Sequence, residues 1–353
     1  MSELPIAIIG AGSIGMRHVE VAQACSATRI SAVVEPVEAQ RAALTALGLN
    51  AVETLDEVPA ETRAAIIATP TQDHHASALA CLDRGWPVLV EKPTAATLDQ
   101  AREVVMKAAQ KGLPLFTGHH RRCHPFSRAT RDALTQIGEI VGVQGLWSLR
   151  KHETYFDVNW RRQPGAGPLL TNLTHDIDLL LFFLGEIAEV TALSSNARRG
   201  FLIEDTAALA FRFGNGALGS FLISDVGASP WSFEAASGEN PAIAASHQDC
   251  IRFIGTAGAL EFPSLTVWGR SGPGEIEWSK PLNSAAGPKF EKIDPMLEQI
   301  RLFAGAVAGA ESDLLCRGED GMKALEMTLA AALSAKERRP VRAGEVPGDY
   351  TGV

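Results

Sequence analysis

Long hydrophobic runs are missing from this 353-residue sequence. No apolar stretch approaches the ~18 residues that a membrane-spanning helix needs, so a transmembrane plan is excluded. Cysteine is scarce as well: Cys25, Cys81, Cys123, Cys250 and Cys316 are odd in number, scattered and without CxxC spacing, which argues against a disulfide framework and fits a reducing cytosol. Basic charge is in deficit, with 32 Lys and Arg against 41 Asp and Glu and a net charge of −9. A nucleic-acid backbone or an anionic membrane surface would be repelled, so neither is expected as a partner. The opening MSELPIAIIGAG lacks the basic segment of a secretory leader, and a cytoplasmic location is expected. What remains is an ordinary globular composition, 46% hydrophobic and 21% charged, and at roughly 150 residues per domain there is chain enough for two cores.

The first third repeats one pattern, a short β-branched run, a turn and a longer stretch of helical period. Strands are predicted at Ile6–Ile9, Ile30–Glu35, Ala64–Ala68, Val88–Glu91 and Leu115–Thr117, with helices near Ile14–Cys25, Val37–Leu47, His74–Arg84 and Thr97–Lys111 between them. Short strands that are apolar on both faces and separated by helices imply a doubly wound parallel sheet of the Rossmann type. Beyond residue 122 the pattern changes. A helix is predicted near His124–Ile137, then a strand over Ile140–Arg150 with alternating polarity, and a hairpin in which Gly214, Asn215 and Gly216 join Thr206–Phe213 to Ala217–Ser224. Gly269–Pro288 reads as loop, and helices near Pro295–Ala308 and Glu319–Lys336 close the chain. The expected organisation is α/β: a nucleotide-binding domain over residues 1–122 and an α+β domain with a large, mostly antiparallel open sheet over residues 123–353.

Chemistry begins at Gly10, Gly12, Ser13, Ile14 and Gly15, a GxGxxG that follows an apolar strand and opens a helix. In that context glycines permit the tight turn and bring backbone N–H groups to a pyrophosphate. Glu35, twenty residues past Gly15 at a strand end, is placed to accept the ribose hydroxyls of NAD and to repel the 2′-phosphate of NADP. Arg41, a turn or two further on, keeps NADP open. Two more strand ends carry Thr69, Pro70, Thr71 and His74, and then Glu91 and Lys92. A lysine ending an apolar strand beside a nicotinamide would be partly desolvated and able to polarise a substrate oxygen. A glycine-rich turn then leads into a helix predicted over Leu169–Leu184, on which Thr171, His175 and Asp178 share a face, with Asn172 alongside and His175 a candidate proton acceptor.

These residues resemble the Gfo/Idh/MocA oxidoreductases, the group that includes glucose–fructose oxidoreductase and inositol dehydrogenases. The resemblance rests on GAGSIG, ATPTQDHH, the EKP tripeptide at 91–93, GHHRR, NWRRQPGAGPLL, THDID, EDTAALAF and SAKERRPV, and spans nearly the whole chain. It implies an NAD(P)-dependent dehydrogenase or reductase acting on a secondary alcohol or ketone of a sugar, inositol or sugar acid, with Lys92 and His175 beside the nicotinamide C4. It also implies a homodimer or homotetramer built through the open sheet. Many members carry an aspartate four residues before the histidine; here that position is Thr171, which opens the division of labour between Lys92 and His175.

For the substrate, donors converge from several segments: His119, Arg121, His152, Trp160, Arg161, Thr171, Asn172 and His175, with Trp231 and His247 in later loops. Such a set suits a small polyhydroxylated ligand, and Arg121 or Arg161 would clamp a carboxylate if it carried one. His120 and His124 stand at helical spacing, but Arg121 and Arg122 beside them would repel a cation, so no metal is expected. A dihydrodiol dehydrogenase or a non-catalytic NAD(P)-binding sensor would share the scaffold.

Overall fold

A computed structural model describes residues 3–240, 242–269, 276–291 and 293–353. The chain divides into two compact units, one of Met1–His124 with Ile293–Leu325 and one of Pro125–Lys292 with Glu326–Val353.

The first unit is built on a sheet of seven strands among the described residues, β1 (Leu4–Ile9), β2 (Thr28–Val34), β3 (Ala51–Val52), β4 (Ala64–Ile67), β5 (Val88–Val90), β6 (Leu115–Thr117) and, from far along the chain, a strand at Cys316–Arg317. Their order is Cys316–Arg317, β6, β5, β4, β1, β2, β3, all parallel except Cys316–Arg317, which runs antiparallel to β6. The helices are α1 (Ser13–Ala24), α2 (Glu38–Ala46), α3 (Thr71–Asp83) and α4 (Leu98–Lys111). β4 is completely buried and so is Ile6–Ile8 of β1, as strands covered on both faces must be. The local signals are plain at α4: the Thr97 hydroxyl accepts the Gln100 N–H at its start, and Gly112 stops it in the left-handed conformation at φ +64°. Strand order turns back on itself at β1, with β2 on one side and β4 on the other, and ligands of open parallel sheets sit at the carboxyl ends beside such a point.

The sequence reading assigned everything after residue 122 to the second region. In the structure Ile293–Leu325 packs with the first unit, because Cys316–Arg317 pairs with β6 and Gly321 leaves room for Thr117, whose Oγ1 lies 2.0 Å from where a Cβ would stand. Nothing in local sequence pattern marks a two-residue strand of this kind.

The second unit carries α5 (Pro125–Leu134), β7 (Ile140–Ser148), α6 (Pro168–Thr171), α7 (Leu173–Leu184), β8 (Ile187–Ser195), β9 (Thr206–Phe213), β10 (Leu218–Ser224), α8 (Phe233–Ser237), β11 (Ile251–Gly255), β12 (Gly258–Phe262), β13 (Val267–Gly269) and β14 (Asn283–Ala285). The chain then passes through α9 (Pro295–Val307), β15 (Cys316–Arg317, the edge strand above) and α10 (Gly318–Glu337), inside which the two units divide, and ends with β16 (Val341–Arg342). The second sheet runs β14, β13, β12, β11, β7, β10, β9, β8, β16, antiparallel throughout except where β10 lies parallel to β7. The predicted hairpin forms with the Phe213 and Gly216 amides closing its turn. Loop was expected over Gly269–Pro288; within it β14 pairs with β13, while residues 270–275 lie outside the described residues. The helix expected over His124–Ile137 is shorter, with His124 extended at ψ 139° and α5 beginning at Pro125.

One face of this sheet packs on the core and the other does not. Register puts Leu193, Ala208, Leu218, Leu222 and Ile254 on the same side, and all five are exposed, Leu193 by 67% and Leu218 by 54%.

Candidate functional site

At the end of β1 the chain turns through Gly10, whose φ of +95° only glycine adopts without strain. A Cβ on Gly15 would sit 2.1 Å from the Gly10 carbonyl oxygen, so α1 leaves the loop by direct backbone contact. Gly12 caps α1 without any side-chain hydrogen bond, no acidic residue occupies the first turn, and nothing lies within 4 Å of a Cβ built there. Ser13 and the half-exposed Ile14 follow. A helix N-terminus with free N–H groups and open approach is what a dinucleotide pyrophosphate requires. Glu35 is held beside this loop: one carboxylate oxygen accepts the Ala11 N–H at 3.0 Å and the other accepts the Val37 N–H at 2.9 Å. Arg41, on which the NADP alternative depended, donates to the Glu35 and Pro36 carbonyls and to the Glu53 carboxylate at 2.9 Å.

The ends of β4 and β5 are tied together by His74. α3 starts at Thr71 behind Pro70, earlier than its apolar period suggested, and this draws His74 inward to 1% exposure. Its Nδ1 lies 2.8 Å from the Pro93 carbonyl and its Nε2 2.9 Å from the Thr69 carbonyl, so the residue expected to meet the cofactor braces the two loops instead. Burial lowers its proton affinity, opposed by both carbonyls and by Glu91. The Thr69 hydroxyl is buried without a partner, a polar atom left for something the protein does not supply.

Glu91 points inward. Its Oε1 lies 2.8 Å from His18 Nε2 on α1 and its Oε2 accepts the Lys92 N–H at 3.1 Å. Burial alone would raise the carboxyl, but the His18 hydrogen bond and the charges of His18, Lys92 and His120 outweigh it and bring it down to about 2. The backbone before the Lys92–Pro93 bond, which is cis, is thereby anchored to the glycine-loop helix. His18 escaped the sequence reading; its only signal was its place on α1 one turn after Gly15.

His119, Arg121 and Arg122 are all buried, around a single turn at His120–Cys123, and Arg122 donates to Asp320 at 3.1 Å. The expected helical spacing of His120 and His124 is absent, because His124 is extended.

In the second unit the helix expected over Leu169–Leu184 is broken. α6 ends at Thr171, Asn172 breaks regular geometry at φ −112° and ψ −48°, and α7 starts afresh, so Thr171, His175 and Asp178 do not line one continuous helical face. The His175 N–H donates to the Asn172 carbonyl at 3.1 Å, and Asp178 is fully buried. Gly167 lies against the Glu204 carboxylate, which stands 2.1 Å from where a Cβ would be, and Glu204 accepts the Leu169 N–H at 2.8 Å. β7 ends at Ser148 and His152 lies beyond it; it is exposed, with Nδ1 2.6 Å from the Thr154 hydroxyl. Trp160 is 56% exposed, Trp231 41%, and His247 is exposed too. Arg161 stacks 4.2 Å from the Tyr155 ring centre and donates to the Tyr155 carbonyl.

One group the sequence reading missed is Lys151. Its ammonium donates to Asn172 Oδ1 at 3.0 Å and lies 3.5 Å from the buried Asp225 carboxylate. Burial pushes its pKa down, and Asp225 works against that. Only the fold brings residues 151, 172 and 225 together.

Residues 4–119 match the model of the GFO/IDH/MocA oxidoreductase family, NAD-binding Rossmann fold, and residues 131–261 match the C-terminal domain of the same family. The chain belongs to that family. Its first region is accordingly an NAD-binding Rossmann domain, the fit already given by the uncapped α1 and the glycine loop. Among curated relatives, the rhizopine catabolism protein MocA of Rhizobium meliloti is 28% identical over 188 residues, 53% of this chain and 59% of that one. Inositol 2-dehydrogenase 1 of Mycolicibacterium vanbaalenii is 31% identical over 195 residues, 53% of this chain and 54% of that one. The chain thus spans little more than half the length of these relatives. An oxidoreductase of Agrobacterium radiobacter, solved with NAD+, L-tartaric acid and magnesium, shares the fold at a TM-score of 0.80 and 18% identity, with 97% of this chain and 99% of that one covered. No helix among the described residues is long and apolar enough to cross a membrane.

Proposed function

We propose that this protein is an NAD-dependent dehydrogenase that oxidises a secondary alcohol of a small polyhydroxylated substrate, a sugar, an inositol or a sugar acid, or reduces the corresponding ketone. The observation that carries the reading is the first unit's open glycine loop with Glu35 locked beside it by Ala11 and Val37, a site made for a nucleotide with an unphosphorylated ribose. NAD, when bound, supplies a hydride acceptor at its nicotinamide C4. NADP is disfavoured in this reading because Arg41 is engaged by Glu53.

Lys92 and His175 are the proposed proton-handling groups. His175 takes the hydroxyl proton, and the Lys92 ammonium stabilises the alkoxide that forms as hydride leaves. Glu91 contributes by fixing the Lys92 backbone, and His74 by holding the Thr69 and Pro93 loops at one spacing. Gly10, Gly12, Ser13, Ile14 and Gly15 with Glu35, Thr69, Pro70 and Thr71 are the proposed cofactor contacts. Homologues named inositol dehydrogenase support the polyol class. The protein is further proposed to associate with a second copy of itself through the exposed apolar face of the second sheet, Leu193, Leu218, Leu222 and Ile254, an area that a lone chain would leave in water.

Growth of the reduced-nicotinamide absorbance with NAD and a panel of sugars, inositols, sugar acids and dihydrodiols tests the reading. Turnover of a polyol with NAD in preference to NADP is expected. Tight NAD binding with no turnover across the panel would overturn it in favour of a sensor; turnover of dihydrodiols alone would move it to that class.

A further inference from the structure

Lys151, Asn172, Tyr155 and Arg161 form a cluster in the second unit that is rich in donors and positive charge. An ammonium can only donate, so the Asn172 amide atom 3.0 Å from Lys151 Nζ is its oxygen; the Thr171 hydroxyl stands 3.0 Å from that same oxygen and 2.9 Å from the Gly167 carbonyl, its single proton shared between the two. With its oxygen doubly used, Asn172 turns its NH2 group, a pure donor, away from both. Lys151 has three N–H bonds; one goes to Asn172, and Asp225 at 3.5 Å engages another only loosely. Its ammonium lies 4.8 Å from the Tyr155 ring centre, and the Arg161 guanidinium lies 4.2 Å from that same ring centre, with Arg161 Nε buried and without a partner.

The neighbouring carboxylates carry partners of their own. Asp225, 1% exposed, accepts from Arg199 Nε at 3.3 Å, and Glu204 accepts the Leu169 N–H. The Lys151 backbone is held on both sides: its N–H donates to the Asp225 carbonyl at 2.9 Å and its carbonyl accepts from Arg199 at 3.1 Å. The cluster is therefore preorganised rather than a surface lysine on a flexible stem. Lys151, Arg161 and Arg199 set three cations against the Asp225 carboxylate, which Arg199 and Lys151 already share, and a hydroxyl group would leave that excess of positive charge in place. A carboxylate offsets that charge and accepts from these donors.

We propose that Lys151, with the Asn172 amino group and Arg161, binds a carboxylate of the substrate, so that the preferred substrates are sugar acids rather than neutral sugars or inositols. This rests on the dehydrogenase reading above and narrows it.

The test uses D-galacturonate and D-gluconate against D-galactose, D-glucose and myo-inositol, in two arms. In the first, kcat/KM with NAD is measured for wild type, Lys151→Gln and Arg161→Gln. An acid-to-neutral ratio of tenfold or more in wild type, falling at least tenfold in Lys151→Gln, is expected; a wild-type ratio near one, or an equal loss for both classes in the variants, overturns the proposal. In the second, calorimetry of the same ligands with the NAD-loaded protein requires no turnover. Acids binding at least tenfold more tightly than their neutral counterparts in wild type, and not in Lys151→Gln, supports the carboxylate site even if no compound is oxidised, an outcome that would sink the dehydrogenase reading alone. No preference for the acids in this arm overturns the site. Should Lys151→Gln fail to fold, Asn172→Asp, which places an acceptor where the NH2 stands, must lose the acid preference in both arms.

Discussion

The two units place their polar chemistry in opposite ways. In the first, every candidate group lies within a few residues of a strand's carboxyl end, Gly10 after β1, Glu35 after β2, Thr69 after β4 and Lys92 after β5, and each is held by a partner in a neighbouring loop or helix. In the second, Lys151 with Tyr155, then Asn172, Arg199 and Asp225 come from four segments that share no motif and meet only in the folded unit. The first is a nucleotide cradle built from local rules. The second is a polar network assembled from side chains far apart in sequence.

Removing chemistry from the second unit while leaving the first intact gives the largest expected effect. His175→Ala should lower kcat by about 10²–10⁴-fold while the NAD dissociation constant, measured by fluorescence titration, stays within a few-fold; a parallel loss of NAD binding would dissolve the distinction between the units. Next comes the buried brace of the first unit. Glu91 is depressed to about 2 in the folded protein, below the ordinary unfolded value, so the stability it contributes is present above that unfolded value and is lost as pH falls through the folded one. Glu91→Gln should cost about 1–3 kcal/mol at neutral pH and flatten the loss of stability between about pH 5 and pH 2. Denaturant unfolding across pH checks this, and an unchanged acid limb would refute it.

Within the cradle, Gly15→Ala drives a methyl to 2.1 Å from the Gly10 carbonyl. We expect about 1–3 kcal/mol of destabilisation, and NAD affinity reduced at least tenfold by the displaced loop. Glu35→Gln should weaken NAD binding by about tenfold and narrow the preference over NADP; titration with both nucleotides decides it. The smallest effect on folding is expected on the open sheet. Leu218→Glu and Leu222→Lys alter exposed side chains, so monomer stability should move by about 0.5 kcal/mol or less, while light scattering should show the assembly falling apart. An unchanged mass, or a wild type that is already monomeric, would refute association through this face.

Much of the first unit was legible because its signals are short-range. The glycine spacing, the run of β-branched residues before it and the Thr97 cap each act within a few residues, and the fold follows them. His74 shows the limit: its position in ATPTQDHH suggested a cofactor contact, but whether a histidine faces a ligand or two carbonyls depends on where the Pro93 loop lies. Arg121 shows it again, since a cluster of basic residues in sequence reads as a charged surface and is here interior. In the second unit the hairpin turn was readable from Gly214, Asn215 and Gly216, whereas β11 to β13, at five, five and three residues, are too short for their alternation to separate from helix or loop.

The sequence by itself determined the parallel nucleotide-binding sheet, its glycine loop and the residue at each strand end, because backbone sterics and hydrophobic period operate over neighbouring residues. Only the tertiary structure decided that the Leu169–Leu184 segment breaks at Asn172, that residues 293–325 return to the first sheet, and that Lys151 stands against Asn172 and Asp225. Those outcomes depend on burial and on which charge meets which donor across the fold, and such pairings are energies between distant segments that no window along the chain contains.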